Sequence, residues 1–391
     1  MDSNLTNEEF DAGLMSKPRK APIYTEFDYI ELGNEFASEN LDSSVSQHSK
    51  EELKHILGNA EFGVCEQSLD IYNDDFVAKV SADLTLGELD LKLQTYSKMT
   101  MIAAPAKYKL SRVLGEMFSP LEKRSVLGLE LLHLDGSTSK AGGQVIKNVA
   151  GYDLRKLYLG SFNSLAFIRS AYIRLEKTPM LKLLLTEDME SLDNVDFQNW
   201  RSLFDFDVNQ VESRLFISKD FAYEGTLPFT LGAEFYGTPD LLELRKQRIL
   251  KKTGLDLNIL IMPFKKLYPS ENQFKVDFSL NHSNLKAFVI ELSSFLKSFP
   301  HGILRLEVDL INATVRLFVK PHDFEIIRNT AIFQTLNSKY QPVIRIRPLT
   351  LDNRLIERAL NLSVSQDELQ LLRKIKEKFD PDGRLNPGLL I

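Results

Sequence analysis

The stretch AGGQVIKNVAGYDLRKLYLGSFNSLAFI, Ala141 to Ile168, decides how this chain is read. Its first half sets Gly142, Gly143 and Gly151 around Lys147, Asn148 and Asp153. Its second half passes Gly160 and Ser161 and runs into an apolar strand. Glycines let a backbone approach a flat or phosphorylated ligand, because no Cβ stands in the way. Lys147 and Asn148 are donors suited to a ring carbonyl or a phosphate. Glycine also serves hairpins and turns for geometry alone, with Lys147 simply solvated, and spacing by itself leaves both readings open.

Working outward, LGLELLHLDGSTSKAGG (127–143) reads as a hairpin that turns at Asp135-Gly136. Further upstream, residues 74–97 read as a strand followed by a helix, and SKEELKHILGNA (49–60) as an earlier helix. SAYIRLEKT (170–178) alternates apolar and polar residues, as a half-buried strand does. After Pro179 the texture changes. Residues 227–254 read as a strand and a basic helix, and residues 272–336 as strand, helix, strand, strand, helix. That order predicts an antiparallel sheet with helices on one face, an α+β layer. Ser365 and Glu368 have capping-box spacing ahead of a helix whose Leu369, Leu372, Ile375 and Phe379 share one side. Pro381 stops that helix and turn residues follow.

These signals divide the chain into an acidic, loose arm (1–44), a first α+β region (45–179), a second region (180–350) and a C-terminal helix and tail (351–391). The 391 residues carry 48 Lys and Arg against 54 Asp and Glu, a net charge of −6, which argues against a nucleic-acid partner. Cys65 is the sole cysteine, so a disulfide within the chain and a cysteine-held metal are excluded. None of the six histidines is paired at metal-ligand spacing, and no metal is expected. No apolar run is long enough for a membrane span. The expected place is the cytoplasm, or the inner face of a membrane through partners. Arg345 and Arg347 alternate on a strand and read as a solvated face rather than a carboxylate grip.

The segment GGQVIKNVAGYDLRKLYLGS closely resembles the FAD-binding subunits of bacterial glycolate oxidases, within the wider flavoprotein family of vanillyl-alcohol oxidase and p-cresol methylhydroxylase (PCMH). FDPDGRLNPG at the C-terminus resembles that family's closing motif. The resemblance implies a PCMH-type FAD-binding domain over 45–179 and a cap domain over 180–350, with the C-terminal segment returning to the first. Carried over residue by residue, the implied cofactor-binding set is Gly142, Gly143, Lys147, Asn148, Val149, Ala150, Gly151, Tyr152, Asp153, Gly160, Ser161, Asn386, Pro387 and Gly388. No catalytic residue is assigned by the pattern.

The departures lie in the phosphate-binding parts. The family's first glycine-rich loop has no counterpart between the first helix and strand. Ser81, Leu110 and Ser111 stand where glycines are expected, and the family's Gly-Ser-x-Gly-Thr-Leu-Gly is written GSFNSLAF, with Asn163 and Ala166 at glycine positions. A pyrophosphate needs several convergent donors. FAD held non-covalently and weakly, or lost altogether, is therefore expected. The resemblance implies a subunit of a glycolate oxidase-like complex that acts on a small 2-hydroxy acid beside a second flavoprotein subunit and an iron–sulfur subunit. The alternative is a degenerate, non-flavin structural or assembly subunit of such a complex.

Overall fold

The computed structural model describes residues 68–117, 120–145, 152–193, 195–202, 213–220, 229–253, 258–266, 273–296, 303–349 and 366–385. The expected acidic arm and the helix over 49–60 lie outside these residues.

The first sheet is built from β1 (Leu69–Tyr72), β2 (Val77–Ser81), β3 (Lys98–Thr100), β4 (Val126–Leu132), β5 (Thr138–Gly142) and β6 (Phe167–Lys177). Its order is β1-β2-β6-β4-β5, with β3 also paired to β6, and every pairing is antiparallel. β6 is the axis of this sheet; it buries Ile168 and, past an irregularity at Arg169, alternates to bury Ala171, Ile173 and Leu175. The same face receives α1 (Leu86–Gln94) and α2 (Leu110–Gly115). A capping box starts α1: Thr85 Oγ1 accepts from the Glu88 N–H at 3.2 Å, and Glu88 Oε2 accepts from the Thr85 N–H at 2.9 Å. Two short helices, α3 (Pro120–Ser125) and α4 (Arg155–Tyr158), complete this half. The β4–β5 connection is a turn over 133–136, closed by the Gly136 N–H on His133 O at 3.0 Å. Gly136 sits at φ +82°, which glycine adopts without strain.

The second sheet has eight strands among the described residues: β7 (Leu181–Met189), β8 (Ser213–Asp220), β9 (Phe229–Gly237), β10 (Asn258–Pro263), β11 (Gln273–Ser279), β12 (Ile303–Asp309), β13 (Thr314–Val319) and β14 (Val343–Leu349). Its order is β10-β7-β9-β8-β12-β13-β11-β14, antiparallel throughout. α5 (Phe197–Ser202), α6 (Pro239–Thr253), α7 (His282–Leu296), α8 (Pro321–Arg328) and α9 (Ala331–Tyr340) belong to this half. In α7 the apolar residues Leu285, Phe288, Val289, Leu292, Phe295 and Leu296 recur at helical spacing, and all are buried in the second core.

The last described helix, α10 (Gln366–Phe379), packs Ile375 and Phe379 against the first core. Other ties join the halves. Lys266, just after β10, donates to Asp90 Oδ2 at 2.7 Å and to Thr100 Oγ1 at 2.8 Å. Arg347 of β14 donates through Nη1 to Ala103 O at 2.9 Å. The fold is thus α+β, with two antiparallel sheets and helices packed on them.

Candidate functional site

The hairpin end of β4–β5 shows what its glycines are for. Gly142 has φ +79°, and a Cβ on it would lie 2.3 Å from Leu127 O and 2.6 Å from Arg155 Cδ. A Cβ on the cross-strand Gly128 would lie 2.6 Å from the Gly143 nitrogen. Two strands and the α4 arginine meet here at a separation only glycine permits. Gly143 differs, since no described residue lies within 4 Å of its Cβ position. Its N–H donates to Leu127 O at 3.1 Å. Lys147, Asn148, Val149, Ala150 and Gly151 lie outside the described residues.

Tyr152 is 95 % exposed, so its ring is not part of any enclosed site. Asp153 is gripped by Arg155, Nε on Oδ1 at 2.7 Å and Nη2 on Oδ2 at 2.9 Å, with Lys156 at 3.6 Å. The Arg155 hydrogen bonds hold the Asp153 carboxyl below its usual range despite partial burial. Arg155 Nη1 also donates to Val126 O at 2.6 Å, so Asp153 orients an arginine that fastens α4 to the start of β4.

The loop from Gly160 to Ala166 is the decisive element. Gly160 (φ +84°), Phe162 (+54°) and Asn163 (+52°) all take the left-handed conformation. Such a run can turn several N–H groups toward one anion, as phosphate-binding nests do. Here four of the loop's N–H groups are donated within the chain. Gly160 bonds Leu114 O at 3.0 Å, Ser161 bonds Tyr158 O at 3.2 Å, Phe162 bonds Gly115 O at 2.9 Å and Ser164 bonds Ser161 O at 3.0 Å. A Cβ on Gly160 would stand 2.7 Å from Met117 O, so protein backbone fills the space that glycine leaves. Asn163 is buried, and its Nδ2 donates to Ser111 O at 3.1 Å. The Asn163 amide also lies 3.2 Å from a Cβ built on Gly115. Its Oδ1 is buried with no hydrogen-bond partner among the described residues. Phe162 and Ser164 are 0 % exposed.

The closing motif docks onto this loop. Lys376 of α10 donates through Nζ to Asp380 Oδ2 at 2.6 Å, to Ser164 O at 2.8 Å and to Leu385 O at 2.5 Å. Asp380 also accepts from the Arg384 N–H at 2.8 Å and the Leu385 N–H at 2.6 Å. Burial pushes the Lys376 ammonium down, and Asp380 pulls it back up. Phe379 stacks near His133 and meets Tyr158 edge-on, at centroid distances of 6.3 and 6.1 Å. Asn386, Pro387 and Gly388 lie outside the described residues. Lys376 and Asp380 were no part of the expected set. Their i, i+4 spacing at a helix end is the sequence signal that could have found them.

A second buried group joins the two halves. Arg112 binds Glu116 Oε1 through Nε at 3.0 Å and Nη2 at 2.9 Å, and its guanidinium lies 3.9 Å over the Tyr108 ring. Burial pushes the Glu116 carboxyl up, against the pull of Arg112 and Arg347. Arg347 is 5 % exposed, which corrects the expectation of a solvated strand face there. The cause is β14's position: it carries Arg347 to the first region, where Ala103 O accepts from it. Among the described residues no group of three or more histidine, cysteine or carboxylate side chains is placed to hold a metal. No described helix is long and apolar enough to cross a membrane.

FAD is the cofactor that the resemblance implies, and the described part of the glycine loop does not suit its pyrophosphate. Four of its N–H groups are spent on chain carbonyls, and protein atoms fill the space beside Gly142 and Gly160.

Residues 355–390 match the family model described as FAD linked oxidases, C-terminal domain. Over 68 residues, 17 % of this chain, the sequence is 37 % identical to glycolate oxidase subunit GlcD of Bacillus subtilis (strain 168). Over 303 residues, 67 % of this chain, it is 23 % identical to D-2-hydroxyglutarate dehydrogenase of Stutzerimonas stutzeri (strain A1501). These matches cover 14 % and 64 % of the two relatives, so the chain spans less than two thirds of either. The crystal structure of p-cresol methylhydroxylase with substrate bound superposes with a TM-score of 0.57 at 14 % identity, over 82 % of this chain and 77 % of that one. The PCMH-type fold, the matched C-terminal segment and the two curated relatives together support the FAD-linked oxidases as the family to which this chain is related.

Proposed function

We propose that this chain is a structural or assembly subunit of a glycolate oxidase-like complex that oxidises a small 2-hydroxy acid. The flavin and iron–sulfur chemistry then resides in partner subunits, and any membrane association comes through them. The observation that carries this reading is the loop from Gly160 to Ala166, where the N–H groups of Gly160, Ser161, Phe162 and Ser164 serve its own chain. A pyrophosphate displacing those bonds would leave buried carbonyls unpaired, at about 1–3 kcal/mol each.

A second reading, a subunit that itself holds and tunes FAD, is favoured by the match of residues 355–390 to the FAD-linked oxidases. Flavin content separates the two. Purify the chain alone and with co-expressed partner subunits, precipitate with acid, and read the released flavin near 450 nm. The assembly reading expects a colourless chain alone and flavin in the complex at the partner's stoichiometry. One equivalent of flavin on the isolated chain after dialysis supports the second reading instead. Dye reduction with a panel of 2-hydroxy acids is expected only from the complex.

A further inference from the structure

β10 ends the second sheet, with β7 as its partner and no strand on its other side among the described residues. Every second residue of an edge strand turns its N–H and C=O outward, where another strand can pair with them. Edge strands are ordinarily guarded by charge or proline. β14, at the opposite edge, carries Arg345, Arg347 and Pro348. β10 has no charged residue, and its one proline is the last residue. Ile259, Leu260 and Ile261 are 42, 50 and 50 % exposed. Ile259 and Ile261 stand opposite the buried Leu185 and Leu183 of β7, so they continue the core face beyond β7 and β9, on which α6 packs. The plain alternative is a solvated edge. Single exposed aliphatics need no explanation, but three in a row on an open edge call for a cover.

The surroundings select the kind of cover. α6 carries five basic residues against two acidic ones, and its Arg248 and Lys251 are exposed. Lys265, two residues after β10, is exposed as well. A second copy paired edge to edge about a two-fold axis would set two basic α6 helices on the same side, and like charges repel. An acidic strand complements them instead. The N-terminal arm of the chain has a segment of that chemistry. From Ala21 to Ser44 there are six acidic and no basic residues. Within that span, IYTEFDYI (Ile23–Ile30) holds no glycine or proline, and six of its eight residues are β-branched or aromatic. Thr25, Phe27 and Tyr29 alternate with Glu26 and Asp28, the period of a strand with one apolar face.

We propose that Ile23–Ile30 of the acidic arm docks on the free edge of β10 as a further strand of the second sheet. Main-chain hydrogen bonds hold it there, and Phe27 and Tyr29 lie beside Ile259 and Ile261, extending the core face. The tether is long enough. The 38 residues from Glu31 to Ser68 can span more than about 100 Å, against a radius of gyration of about 21 Å for a globular chain of this length. Because the arm belongs to the same chain, docking does not depend on protein concentration. The edge uses no residue of the Gly160–Ala166 loop, so the inference is independent of whether the chain holds FAD.

The test is hydrogen exchange, read by mass spectrometry, on the full chain as the parent, Phe27→Pro and Ile261→Lys. Amides of 23–30 and of 258–263 are both expected to exchange at least about tenfold more slowly in the parent than in either variant. A change in the arm should thus be felt in β10, and a change in β10 in the arm. A synthetic peptide of residues 20–33 added to Phe27→Pro should restore protection of 258–263, and the same peptide carrying Glu26→Lys and Asp28→Lys should not. An arm that exchanges like a free peptide in the parent overturns the proposal. Protection of 258–263 that survives Phe27→Pro also overturns it. Light scattering then separates a dimer, with a second copy on the edge, from a monomer whose edge needs no cover. Protection that appears only with co-expressed partner subunits overturns it in favour of a partner's strand. Equal rescue by the two peptides overturns the charge complementarity on which it rests.

Discussion

Asp380 and Lys376 show how one ion pair can organise a chain terminus. The Asp380 carboxylate accepts two backbone N–H groups beyond the helix, and the Lys376 ammonium reaches a carbonyl more than two hundred residues away in sequence. Removing one member of a buried pair strands the other, at about 3–5 kcal/mol. Lys376→Met is therefore expected to lower unfolding free energy by roughly that amount, measured by urea denaturation; a loss under about 1 kcal/mol would reduce the contact to a surface pair. Glu130, on β4, gives a pH prediction. Burial raises its carboxyl, but hydrogen bonds from Ser170, Lys79 and Lys140 outweigh this and bring it down to about 2. A depressed acid stabilises the fold above its unfolded value and loses that contribution as pH falls through the folded one. The window here is pH 4.5 down to about 2. After solvent screening the contribution is about 1–2 kcal/mol. Glu130→Gln should flatten the acid limb of stability across that window, and an unchanged limb would sink the assignment. Sequence alone did not reach these residues: Asp380 and Pro381 were legible as turn chemistry, but which carbonyl Lys376 meets depends on how the terminus packs.

At the scale of elements, the β4–β5 hairpin separates glycines kept for packing from glycines that are free. Gly142→Ala would place a Cβ 2.3 Å from Leu127 O at positive φ, whereas Gly143→Ala meets no described residue within 4 Å. The first should destabilise by more than about 2 kcal/mol, combining backbone strain and the clash. The second should stay within about 0.5 kcal/mol. Equal effects in thermal melts would contradict the packing account. The strands and helices were readable because their periods are strong: β6 alternates, and α7 repeats its apolar face at three and four residues. The loop at 160–166 was only half readable. Asn163 at a glycine position fits positive φ, but the same conformation at Phe162 carries no sequence signal, and burial of that ring holds it there. That the loop's N–H groups turn inward depends on the carbonyls of Leu114 and Gly115, a tertiary fact.

On the scale of the whole molecule, the two sheets share no strand among the described residues, and polar ties from Lys266 and Arg347 link them. Removing Asp380 to Ile391 takes away the partner of Lys376 and the carbonyl of Leu385, and should lower the melting temperature of the full chain by several degrees. A truncated chain that melts within a degree or two would show that the tail carries no structure. The two-layer α+β plan was visible in the order of elements, whereas the internal hydrogen bonding of the glycine loop required coordinates. The central proposal is that this chain has the PCMH-type fold but holds no pyrophosphate in its own glycine loop. The most direct test is a titration of FAD into the purified full chain, followed by quenching of flavin fluorescence. The account predicts no saturable quenching up to roughly 100 µM FAD, a binding energy weaker than about −5.5 kcal/mol. Stoichiometric quenching with a dissociation constant at or below about 1 µM would contradict it.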